Sequence, residues 1–168
     1  SSCKAHTAIY IPDTGNIGRW VAGPDFPAAD AYYDSADGPA ALLTNGHVLV
    51  QASPGYGYAP SRFFEFDEAD GKHGTLTRVS EPTSAPGCAS YQSRMLVLPS
   101  GQILWSSDGY TNSAATCSAD VELYTPKGAP DPAWKPIIGD APTTLTRGSQ
   151  NNEATGTLFM GLSQGAAY

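Results

Sequence analysis

Leu42-Leu43-Thr44-Asn45-Gly46-His47-Val48-Leu49-Val50 returns later in the chain as Val97-Leu98-Pro99-Ser100-Gly101-Gln102-Ile103-Leu104-Trp105. In each copy two apolar runs flank a turn that closes on glycine, and the glycines are 55 apart (101 − 46). An Asn-Gly between apolar runs is a strong hairpin signal, because both residue types tolerate positive φ. A second motif alternates with the hairpin. Tyr10-Ile11-Pro12 leads to Trp20, Phe66-Asp67 to Leu76, and Tyr124-Thr125-Pro126 to Trp134. The offset is ten each time (20 − 10, 76 − 66, 134 − 124), and the leading aromatics are 56 and 58 apart (66 − 10, 124 − 66).

A fixed period of this size, with several short strands per unit, is the signature of propeller blades. Residues 5–11 read as a strand, followed by the turn Asp13-Thr14-Gly15-Asn16 and a short outer strand over Arg19–Ala22. Pro39–Leu43 and His47–Gln51 form the first hairpin. After a Gly/Pro/Tyr loop at Ser53–Pro60, Arg62–Phe66 and Gly74–Val79 supply a third and a fourth strand. The second unit repeats this with Arg94–Leu98, Gln102–Ser106, a loop at Ser107–Ser118, Asp120–Tyr124 and Trp134–Ile138. An open set of blades leaves sheet faces that neighbours should cover. The reading is therefore that missing blades of the same polypeptide, or other copies of the chain, close the ring, the former being favoured. The period stops after Trp134, where Thr144-Leu145-Thr146 and then Gly156–Met160 suggest entry into another β domain.

Composition agrees with an all-β chain. Gly 18 and Pro 14 in 168 residues are high, and only 15% of residues are charged. The net charge of −7 argues against a nucleic-acid partner, which calls for a basic stripe, and against anionic membrane surfaces. No run of about 18 apolar residues is present to span a membrane. The cysteines follow the repeat. Cys3 and Cys117 each lie seven before an aromatic (10 − 3, 124 − 117), and Cys88 lies thirteen before Gly101. The middle unit has Ala59 and Tyr33 at these positions, so one unit holds both cysteines and another neither. A Cys88–Cys117 disulfide within one blade leaves that pattern; two buried free thiols are the alternative. A disulfide places the chain in an oxidising, extracellular setting. Cys3 is then expected to have its partner before residue 1, in a chain cut at its N-terminus.

The unit resembles a kelch-type blade: a hairpin with a glycine turn, an aromatic-x-Pro strand, then tryptophan. Ala52-Ser53 and Ser106-Ser107 replace the usual double glycine. The chain is more closely similar to the C-terminal propeller blades of galactose-oxidase-like and glyoxal-oxidase-like proteins, which run into an immunoglobulin-like domain. Val121–Tyr124, Lys135-Pro136-Ile137 and Leu145–Gly148 look like that passage. The resemblance implies kelch-like blades of four antiparallel strands, about two and a half of them, in an incomplete ring. These are a partial blade at 1–27, blades at 28–83 and 84–139, and a crossover into a second β domain at 140–168. It also implies a check on activity. Copper radical oxidases of this family carry Tyr-His-Ser before a late hairpin, where tyrosine and histidine bind copper. Here the matching residues are Tyr91-Gln92-Ser93, and an amide is a poor substitute for imidazole at copper. The implied protein is a secreted, non-catalytic binding or structural module without a cofactor; the alternative is a fragment of a copper radical oxidase acting on alcohols or aldehydes.

No residue set completes a catalytic centre. The sequence has no Gly-x-Ser-x-Gly elbow, and no two carboxylates are singled out for glycoside hydrolysis. His6, His47 and His73 lack metal-ligand spacing and read as turn or solvated residues. Asp67, Glu68 and Asp70 form an acidic cluster without the alternating pattern of a calcium loop. The recurring Tyr10, Trp20, Phe66, Tyr124 and Trp134 read as core between blades. The binding candidates are Tyr56 and Tyr58 in the Gly55–Tyr58 loop, Tyr91 and Gln92 at the family position, and Trp105, which either packs between blades or stacks on a sugar. A glycan or a protein segment is the expected ligand.

Overall fold

The computed structural model describes residues 6–13, 15–68, 73–126, 137–144, 147–148 and 155–157. Its strands are β1 (Ala8–Asp13), β2 (Asn16–Ala22), β3 (Ala40–Leu42), β4 (Val48–Ala52), β5 (Arg62–Asp67), β6 (Thr75–Val79), β7 (Ser93–Val97), β8 (Ile103–Asp108), β9 (Ala119–Tyr124), β10 (Ile137–Asp140) and β11 (Thr155–Thr157). Besides these, the described residues hold three single 3-10 turns and no α-helix. The strands form antiparallel sheets in the orders β1-β2, β3-β4-β5-β6, β7-β8-β9 and β10-β11. The first three are incomplete and complete blade-like units, and none closes into a barrel.

The repeat read from the sequence is a repeat of hydrogen-bond register. Leu42 pairs with Val48, and Val97 with Ile103. Val48 pairs with Phe66, and Ile103 with Tyr124. The aromatic offset of ten is the pairing of third and fourth strands: Tyr10 faces Trp20, and Phe66 faces Leu76. The two glycine turns share their hydrogen bonds as well. Gly46 N–H donates to Leu43 O and Gly101 N–H to Leu98 O, while Leu43 and Leu98 N–H donate to His47 and Gln102 O. The turn type differs from the expected one. Only the glycines are left-handed, at φ 88° and 82°, and Asn45 is not. This is a type I turn closed by a glycine bulge, the three-residue hairpin that also admits Pro99 at its first central position.

Residues directly opposite across a ladder share a face, so the register assigns every side chain. One face of β3-β4-β5-β6 carries Ala41, Leu49, Gln51 and Phe63, and packs on Met95, Val97, Ile103, Trp105 and Tyr124 of the third sheet. Phe63 and Trp105 meet edge to face at 6.1 Å. Burying side chains of this size is worth about 2–3 kcal/mol each, so this seam holds the two sheets together. The Cys88–Cys117 disulfide expected from the repeat is present and ties the lead-in of the third sheet to the approach of β9.

Three expectations are corrected. Tyr10 and Trp20 are 47% and 69% exposed rather than core. Their ring centroids lie 5.3 Å apart with the planes tilted at 57°, and no described sheet covers that face of β1-β2. Phe66 and Tyr124, in the same repeat position, are partly buried. Ile137 and Ile138, the described end of the expected fourth strand at Trp134–Ile138, pair with Thr157 and Gly156 rather than with β9. Trp134, Asp70, and Leu145 and Thr146 lie outside the described residues.

Candidate functional site

Because consecutive strands are antiparallel neighbours, their connections alternate between the two ends of a sheet. The hairpin turns at Gly46 and Gly101 lie at one end. The loops 53–61 and 109–118, and the lead-ins to β3 and β7, lie at the other. This second end is knit together by hydrogen bonds: Ala59 N–H to Ala114 O at 3.2 Å, Asn112 Nδ2 to Gly57 O at 3.4 Å, and Ser53 Oγ with Ser90 Oγ at 2.9 Å. Rigid loops on a sheet scaffold are where recognition is usually placed.

The family-position residues part company here. Tyr91 reaches the loop surface and stacks on Tyr56, with ring centroids 4.7 Å apart and planes at 29°. Tyr56 is 64% exposed. The pair borders an open cleft of about 300 Å³, lined also by Asp37, Pro39, Ser93 and Arg94. Tyr58 is exposed on the same loop but does not line the cleft. Gln92 is buried and fully committed: its Oε1 accepts from Ala89 N–H at 2.7 Å and its Nε2 donates to Tyr110 O at 2.5 Å. It orients the Tyr91 turn and has no free atom for a ligand. Trp105 is 1% exposed and cannot stack on a sugar. Its Nε1 donates to Gln51 Oε1 at 2.9 Å, deep between the sheets. Gln92 and Trp105 are thus removed from the binding set, in both cases because their polar atoms are satisfied in the interior.

Sequence reading missed two features. The first is Asp37 with Arg94. Asp37 sits in the turn Ser35–Gly38, where Ala36 and Asp37 have φ 22° and 59°, conformations that non-glycine residues rarely adopt. Ser90 Oγ holds the turn by donating to Ser35 O and Ala36 O. A side chain at Gly38 would strike Gln51 O and Ser35 O at 2.5 and 2.6 Å, so only glycine lets the turn close. The Asp37-Gly38 dipeptide was the available sign of a turn. The second is Gln51, wholly buried, whose Nε2 donates to Ser61 Oγ at 2.9 Å and Ser93 Oγ at 3.1 Å. This network fixes the sheet beneath the cleft, and nothing in residue spacing announces it.

The opposite end holds a different cluster. His47 lies between Glu65, at 2.5 Å, and Asp67, at 3.2 Å, and is neither solvated nor a bare turn residue. Tyr124 Oη donates to Glu65 Oε2 at 3.1 Å. Burial, then the Glu65 charge, pushes the Tyr124 phenol up to about 12. Among the described residues no group of three His, Cys, Asp or Glu is arranged to hold a metal ion, and no helix is long and apolar enough to cross a membrane.

A larger cleft of about 500 Å³ separates β1-β2 from the next sheet. Its walls include Val48, Val50 and Phe66, the register equivalents of Ile103, Trp105 and Tyr124, which the neighbouring sheet covers. It occupies the place of the seam that is closed between the second and third sheets. The copper chemistry of the resembled oxidases does not fit the residues present. The residue that the resemblance sets against their histidine ligand is Gln92, whose amide bonds two backbone groups, and the Tyr91 ring is stacked on Tyr56. No protein-family model matches the chain, and no curated protein matches it significantly.

Proposed function

We propose that this chain is a non-catalytic binding module, secreted and related to kelch-type, galactose-oxidase-like propellers, that recognises carbohydrate through the loop end bearing Tyr56 and Tyr91. The observation that carries the reading is the Tyr56–Tyr91 stack on the rim of a cleft whose other lining residues are Asp37, Pro39, Ser93 and Arg94, three of them polar or charged. Flat, stiff aromatic rings give contact area to a sugar face at low entropic cost, and neighbouring polar groups fix its hydroxyls. The Cys88–Cys117 disulfide supports an extracellular setting. The faces of the first and third sheets that no described residues cover fit a ring completed by further blades, from the same polypeptide or from other copies.

The test is calorimetric titration of the chain with a panel of neutral and acidic oligosaccharides. The reading expects saturable binding to at least one sugar class and a loss of tenfold or more in Tyr56→Ala, with thermal stability unchanged. Binding to no sugar, or undiminished binding in Tyr56→Ala, contradicts it.

A further inference from the structure

Tyrosine platforms alone do not choose between sugars; the charged residues in the cleft do. Arg94 is exposed, yet its guanidinium is not loose. Nη1 donates to Ser93 O at 2.6 Å and to Tyr91 O at 3.0 Å, which fastens one corner of the group to the backbone of the tyrosine turn. Its remaining N–H donors have no protein acceptor among the described residues. Neither Arg94 nor Asp37 has an ion-pair partner there, although both line the same cleft. A guanidinium presents a planar fork that matches a carboxylate with two parallel hydrogen bonds. An arginine anchored at one end and unpaired at the other is preorganised for such an anion.

The rest of the cleft says what kind of anion. Tyr56 offers a ring face for stacking. Asp37, held out by the left-handed turn, is an acceptor for hydroxyl groups and repels anions of high charge such as phosphate. The chain as a whole carries −7, so it has no general attraction for polyanions, and within the cleft the cation that an acid would meet is Arg94. Resting on the carbohydrate-binding reading above, we infer that the cleft takes a uronic-acid sugar. Arg94 receives the carboxylate, Tyr56 stacks on the pyranose ring, and Asp37 accepts from its hydroxyls. Backbone strain of this sort persists where surrounding contacts fix it, commonly at ligand sites.

The experiment uses oligogalacturonate of defined length and the same oligomer as its methyl ester, which keeps the ring and removes the charge. The acid is expected to bind tenfold or more tighter than the ester, and to weaken between 50 and 500 mM NaCl while the ester does not. Arg94→Gln should abolish the difference by lowering acid affinity alone, and Arg94→Lys, which keeps the charge but not the fork, should recover part of it. Asp37→Asn should weaken the ester, and weaken the acid less, because it also removes a negative charge that faces the carboxylate. Equal binding of acid and ester overturns the uronate assignment and leaves the carbohydrate reading standing. An acid preference that survives in Arg94→Gln overturns the role of Arg94. Failure of acid, ester and neutral oligosaccharides alike removes both.

Discussion

Trp105→Phe separates the interior role of this residue from a surface one. The indole is 1% exposed and Gln51 0% exposed, and Nε1 is the donor to Gln51 Oε1. Phenylalanine keeps most of the ring contact with Phe63 but supplies no N–H. The amide oxygen is left buried without that donor, which costs about 1–3 kcal/mol. The smaller ring leaves a void; at about 24 cal/mol per Å³, some 40 Å³ of it adds about 1 kcal/mol. The sum is about 2–4 kcal/mol, or a fall of roughly 5–15 °C in Tm for a chain of this size. Denaturant unfolding followed by far-UV circular dichroism measures it, with calorimetric titration against the best sugar ligand run in parallel. The expected result is the full loss of stability with affinity unchanged where the variant is folded. A change below about 0.5 kcal/mol, the level of exposed substitutions, together with weakened sugar binding, would refute the placement of Trp105 between the sheets.

The Cys88–Cys117 bond spans 29 residues, so the chain-entropy relation gives about 3–4 kcal/mol of stabilisation. The double alanine variant should melt about 10 °C lower, a loss that scanning calorimetry reads directly. With its folded pKa pushed up to about 12, Tyr124 stays neutral while an unfolded phenol ionises near 10. Its contribution to stability is therefore complete below about pH 10 and is lost as pH rises through about 12. Ultraviolet titration of wild type and Tyr124→Phe should assign the late-ionising phenol, and Glu65→Gln should lower its pKa. Gly46→Ala and Gly101→Ala each force a side chain into the left-handed region and should cost about 1–2 kcal/mol by urea titration. Similar costs at both sites are the mark of one turn used twice.

The fold was legible because its repeat is local. Each hairpin, and each third-to-fourth strand pair, lies within about twenty residues, so the ladder partners appear as fixed offsets in the sequence. Even the disulfide showed itself, since one unit retained two cysteine positions and another neither. What spacing does not carry is which face of a sheet is covered. Tyr10 and Phe66 are equivalent in register, yet Tyr10 is exposed and Phe66 partly buried, because burial depends on the neighbouring sheet. The site was half legible for a similar reason. Tyr56 and Tyr91 stood out as aromatics in loops, but Asp37 and Arg94 join them only through the stacking of two sheets, across sequence separations that no short motif spans. Gln92 and Trp105 drew notice by type and position, and hydrogen bonds to Tyr110 O and Gln51 then placed both in the interior.

The claim beneath all of this is that one strand register recurs along the chain. Interstrand nuclear Overhauser contacts in isotope-labelled protein test it most directly. The expected contacts join Leu42 to Val48 and Val97 to Ile103, Tyr10 to Trp20 and Phe66 to Leu76, with the Trp105 indole N–H close to Gln51 and Phe63. Contacts shifted by one residue in either copy, or a Trp105 indole N–H that exchanges freely with water, would contradict it.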